Sequence, residues 1–96
     1  MNDSILVAKV VYFSDWSAFR ILYERYWEEL FLQAMYYVKD EVSAVEVSKY
    51  VWIHIWRNKH QMLNVDLHQY LRAVVRFYVS KNLSVLPNDI IPENVP

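Results

Sequence analysis

The chain has 96 residues, no cysteine, no glycine and a formal net charge of −1. That length holds one small core. Without cysteine there is no disulfide scaffold, thiolate metal site or cysteine nucleophile, and without glycine the phosphate-cradling loops and most tight hairpins are excluded. Apolar residues make up 55% of the chain, or about 47% once tyrosine is set aside, the usual content of a globular domain. No apolar run approaches the roughly 20 residues that span a bilayer. The start, Met1-Asn2-Asp3-Ser4, lacks the basic residues of a secretory signal. The expectation is a cytoplasmic, all-α domain of three to four helices with no membrane contact.

In chain order, residues 3–12 are apolar and rich in β-branched side chains, and with no turn or pairing partner nearby they are read as a short helix. Ser14 or Asp15 offers an N-cap for a long helix from Trp16 to about Lys39. Phe19, Leu22, Tyr23, Tyr26, Leu30, Phe31 and Ala34 recur on one face of it, and Arg20, Glu24, Glu28 and Gln33 on the other. After a break at residues 39–42, Ser43-Ala44-Val45-Glu46 reads as a capping box that opens a third helix to about His60. Val47, Val51 and Ile55 line its inner side, adjoined by Trp52 and Trp56. Gln61–Val65 is a loop in which Asn64 can turn the chain. Asp66-Leu67-His68-Gln69 is a second box and opens a fourth helix to about Asn82, with Leu67, Leu71, Val74 and Tyr78 inward and Tyr70 beside them. The domain is expected to close near residue 83. Residues 84–96, with Pro87, Pro92 and Pro96, read as a tail or interdomain linker. Four Trp, four Phe and eight Tyr are many for this length, and most are expected in the core.

Charge divides unevenly. Residues 1–48 carry eight acids and four bases, residues 49–83 carry six bases and Asp66, and the tail adds two acids. Such segregation suits a polyanion on one face and a different partner on another. On the fourth helix His68, Arg72, Arg76 and Ser80 are spaced by four, opposite the inward stripe, as a row of phosphate contacts or as a solvated face. On the third helix Glu46, Lys49, Ile53, Arg57 and His60 share a side with Tyr50 next to them, which resembles a polar-rimmed patch for a protein partner. No catalytic set is found: Ser43 and Ser84 have no nearby histidine, and no Gly-flanked nucleophile elbow exists. His60 and His68 have no further ligand to complete a metal site. Neither an enzyme activity nor a metal or other cofactor is expected.

The succession Ala18-Phe19, Leu22-Tyr23-Glu24-Arg25-Tyr26, Ser43-Ala44-Val45-Glu46, Val51-Trp52-Ile53-His54-Ile55-Trp56 and Tyr70-Leu71-Arg72-Ala73-Val74-Val75-Arg76 resembles, over residues 15–83, the second conserved region of bacterial RNA polymerase sigma factors of the extracytoplasmic-function group. The resemblance implies a compact helical bundle acting in transcription initiation. One helix docks on the β′ clamp of the RNA polymerase core, and the following loop and helix hold the melted non-template strand of the promoter minus-ten element. By position, polymerase contact falls to Glu46, Lys49, Tyr50, Ile53 and Arg57. Promoter DNA contact falls to Leu63 and Asn64 of the loop and to His68, Arg72, Arg76 and Phe77. An anti-sigma factor is a further possible partner. The family commonly has Gln where this chain has Lys49, and Asn where it has Phe77. These two departures favour an alternative: a diverged sigma-like interaction module, a decoy or regulator, that no longer reads DNA.

Overall fold

A computed structural model describes residues 1–85, and side chains as far as Lys81. The described residues form an all-helical bundle: α1 (Asp3–Phe13), α2 (Trp16–Val38), α3 (Glu41–Arg57), a 3₁₀ turn (Lys59–Met62) and α4 (Leu67–Val85). The central α2 touches α1, α3 and α4, while α3 also packs on α4 and the 3₁₀ turn rests on α1 and α3. Ser84 and Val85 continue α4; the rest of the expected tail lies outside the described residues. No helix among the described residues is long and apolar enough to cross a membrane.

Each helix begins on an Asx side chain that accepts the backbone amide three residues on. Asn2 takes Ile5 N at 2.9 Å, Asp15 takes Ala18 N at 3.2 Å, Asp40 takes Ser43 N at 2.8 Å and Asp66 takes Gln69 N at 3.0 Å. Such a cap satisfies one of the orphan amides of the first turn. The Asp15 and Asp66 caps agree with the sequence reading. The third helix does not start on Ser43. Lys39 ends α2 in the left-handed region (φ 57°) and Asp40 is extended beside it, so Asp40 reaches the first turn before Ser43 can. Ser43 becomes a donor: hydrogen bonds from its hydroxyl and amide hold the Asp40 carboxyl below its ordinary pKa. Glu46, freed from capping duty, lies 3.9 Å from Lys49.

Ser14-Asp15 joins α1 to α2 by the same two steps, a left-handed residue (φ 49°) followed by an extended Asp cap. The third left-handed residue is Asn64 (φ 61°), as its sequence position suggests. Asparagine visits this region readily, whereas serine and lysine are strained there by roughly 1–2 kcal/mol.

The interior is aliphatic. Leu6, Val7, Val10 and Val11 of α1, Leu22, Leu30 and Ala34 of α2, Ala44, Val47, Val51 and Ile55 of α3, and Leu71, Val74, Val75 and Val79 of α4 form one cluster. The β-branched run of α1 is helical because burial overrides weak propensity. Contrary to the sequence expectation, most aromatic side chains are not core. Only Phe19 and Trp52 are buried, five others are half-buried, and nine, among them Trp16, Trp27, Tyr50 and Phe77, are exposed. A bundle of this size has little interior volume, and the aliphatic residues already fill it.

Ser14 has an exposed side chain and carries strain that glycine would relieve. Ser14→Gly is expected to raise stability by about 0.5–1 kcal/mol, read as a melting temperature higher by about 2–8 °C for a domain of this size.

Candidate nucleic-acid and protein interfaces

The connection from α3 to α4 is short and pinned. Asn58 donates its side-chain amide to the His54 carbonyl at 3.0 Å, the Tyr70 hydroxyl donates to Gln61 Oε1 at 3.1 Å, and Met62 is buried in the core. Leu63 is half-buried, and Asn64 then turns the chain outward, itself exposed. Between this loop and the start of α1 lies an open cavity of about 540 Å³, whose walls include Asp3, Tyr26, Leu63, Asn64 and His68. Tyr26 donates its hydroxyl to Asp3 Oδ2, and Arg25 Nη1 holds Asp3 Oδ1 at 2.7 Å, so α1 is tied to α2 along one side of the cavity. Burial, then the hydrogen bond to Asp3, push the Tyr26 phenol up to about 12. It stays a neutral donor at physiological pH. The cavity is thus lined by fixed acceptors and donors beside an imidazole, a setting that suits a planar polar ring.

His68, Arg72 and Arg76 are all exposed on α4, as the sequence spacing implies. They are not alike. His68 Nε2 donates to Glu29 Oε2 of α2, and the same oxygen lies 3.9 Å from Arg72 Nη1. Arg76 makes no ion pair among the described residues. Phe77 is exposed but stands on the opposite margin of α4, five residues and about 140° of rotation from Arg72. There it joins Tyr78 edge-on at 5.0 Å and His54 at 6.3 Å, with Lys81 Nζ 5.3 Å from its ring centre. Tyr50 stacks on Tyr78 at 6.1 Å, and His54 Nδ1 is 3.0 Å from the Tyr78 hydroxyl. Two residues assigned by resemblance to different partners, Tyr50 and Phe77, therefore share one seam between α3 and α4.

Glu46, Lys49, Ile53 and Arg57 are exposed along α3. Lys49 borders a second open cavity of about 540 Å³ between α2 and α3, walled mainly by Tyr23, Trp27, Phe31, Val45 and Trp52. Ile53 and Arg57 border a smaller one of about 180 Å³ with Trp16, Trp52 and Trp56. Rings at edge-on angles join the two: Tyr23 on Trp52 at 5.1 Å, Phe19 on Trp56 at 5.0 Å and Trp16 on Trp56 at 5.0 Å, with Lys59 Nζ 4.4 Å from the Trp56 ring centre. A ring-walled groove edged by charges has the makeup of a protein contact surface.

Sequence reasoning missed Asp3, Tyr26 and Glu29 at the first site, and Tyr23, Trp27 and Trp16 at the second. The ring residues carried a signal, since Tyr23, Trp27 and Phe31 are spaced by four. Glu29 carried none, because its partners are 39 or more residues away. Among the described residues no three His, Asp or Glu side chains gather as a metal site. No protein-family model matches the chain, and neither a curated protein nor a solved structure matches it.

Tyr26→Phe leaves the partly buried Asp3 with one partner fewer and is expected to destabilise the domain by about 1–2 kcal/mol, measured by urea unfolding at pH 7. A phenol whose pKa is raised by folding stabilises the neutral form. The wild-type advantage over the Phe variant is therefore expected in full below pH 10.0 and to vanish as pH rises toward 12.

Proposed function

We propose that this domain acts in transcription initiation in the manner of a sigma factor, holding the RNA polymerase core on one side and an unpaired promoter strand on the other. The observation that carries this reading is the open cavity under the Leu63–Asn64 turn, whose wall includes His68, the first residue of the exposed row His68, Arg72 and Arg76. The cavity is the place for an unstacked base, whose polar edge Asn64 and His68 can meet. The cations then meet successive phosphates of the same strand. The α2–α3 groove, with Lys49, Ile53 and Arg57 at its edge, supports docking of the β′ clamp or of an anti-sigma factor. The mechanism involves no covalent chemistry: binding only the unpaired strand shifts the equilibrium from duplex to open promoter. Action of this kind belongs to the cytoplasm.

A second reading, a protein-interaction module that no longer reads DNA, is favoured by one observation. Glu29 already engages two of the three side chains in the row, His68 and Arg72.

Fluorescence anisotropy with a labelled single-stranded minus-ten oligonucleotide separates the two. If the strand lies on the row, an Arg72→Ala, Arg76→Ala variant is expected to bind at least 10-fold more weakly, with its salt slope reduced by about 1.4, two phosphate contacts at roughly 0.7 each. Absence of strand binding by the wild type would leave the interaction module. On the groove side, an Ile53→Asp, Lys49→Glu variant is expected to lose capture of the β′ clamp helices while keeping its helical circular dichroism. Equal capture by variant and wild type removes that docking assignment.

A further inference from the structure

Glu29 holds a position that a strand phosphate needs. Its Oε2 accepts from His68 Nε2 and lies 3.9 Å from Arg72 Nη1, so two side chains one turn apart on α4 converge on a single carboxylate oxygen. The register that brings them there is fixed by backbone contact: Gln33, one turn beyond Glu29 on α2, donates its side-chain amide to the Arg72 carbonyl at 3.1 Å. The next residue in the row, Arg76, pairs with no acid among the described residues.

Resting on the nucleic-acid reading above, we infer that Glu29 is an internal competitor for the phosphodiester of a single strand, and that His68 and Arg72 form one phosphate subsite which the carboxylate fills until the strand displaces it. The exchange is feasible because the pairs are wet. The side chains of Glu29, His68 and Arg72 are 44%, 49% and 49% exposed, and ion pairs at such exposure are weak and screened by salt. A phosphate brings more acceptor oxygens to the same two donors than one carboxylate oxygen does. A strand held only by Arg76 leaves Glu29 in place; a strand also seated in the loop cavity carries its phosphate against His68 and Arg72 and turns the carboxylate out. The acid thereby weakens binding to nucleic acid in general and spares a strand anchored at both points.

The test is Glu29→Gln in the full chain, an exposed near-isosteric change, with anisotropy of a labelled 12-nucleotide single strand at low and moderate salt. The variant is expected to bind about 3- to 10-fold tighter at low salt, the size that removing one or two exposed ion pairs allows, with a steeper salt dependence. In a His68→Ala, Arg72→Ala background the same change is expected to bring no more than about a 2-fold gain, since the subsite is gone. Equal binding by Glu29→Gln and wild type, with Arg72→Ala weakening both, overturns the inference and leaves the strand-binding reading standing. Absence of binding by every form overturns the reading itself, and the inference with it.

Discussion

Ala18, Ala34 and Ala44 are buried where the helices meet, beside Leu22, Val47 and Val51. Short side chains at a helix contact draw the axes together within the usual range of about 8–10 Å, and a bundle closed on them has room between its helices for few rings, here Phe19 and Trp52. The other aromatic residues are therefore displaced to the margins of the contacts, where one edge packs on the core and the other meets solvent. Both ring-rich seams follow from this. The α2–α3 groove is walled by Tyr23, Trp27, Trp52 and Trp56 because Ala18, Ala44, Val47 and Val51 occupy the space behind them. On α4, burial of Leu71, Val75 and Val79 leaves Tyr78 half-buried against Tyr50 and turns Phe77 to the surface beside His54.

The same economy of space governs the electrostatics. With an apolar interior, nearly every charged group sits in water, and the ion pairs Arg20–Glu24, Lys49–Glu46 and Arg72–Glu29 are exposed. Pairs of that kind are individually worth about 0–1 kcal/mol, so they do not hold the fold and can be exchanged for a ligand's charge at little cost. The exception is Asp3. Bonded by both Arg25 and the half-buried Tyr26, it fixes the start of α1 beside the loop cavity. A polar contact that shapes the cavity is thus kept, while those lining the cationic row are replaceable.

The helices were legible because their apolar periodicity and Asx caps agree. Asp15 and Asp66 sit directly before a periodic run, and Asn64 is the residue type that turns left-handed without glycine. Asp40 was not legible as a cap because nothing in the sequence marks Lys39 as left-handed, and Ser43-x-x-Glu46 offers a more complete formal box three residues later. The aromatic residues were misplaced for a different reason. Hydrophobicity scores a ring as interior, but only packing volume decides whether the interior has room for it. At the candidate sites, the outward phase of Arg72, Arg76, Lys49 and Ile53 could be read from helical spacing alone. Glu29 could not, since its role exists only once α2 lies against α4.

That placement makes α2 the element common to both surfaces. Tyr23, Trp27 and Phe31 run along its side toward α3, and Tyr26, Glu29 and Gln33 along its side toward α1 and α4, with Leu22, Leu30 and Ala34 buried between the two stripes. Trp27 and Glu29 are two residues apart, about 200° around the helix. The ring side of α2 therefore faces away from its carboxylate side, and the two surfaces do not overlap. Because the buried stripe between them is aliphatic and close-packed, a core of this kind resists small displacements. The two surfaces are accordingly held at a fixed separation by one helix, α2, so a change at one of them does not shift the other.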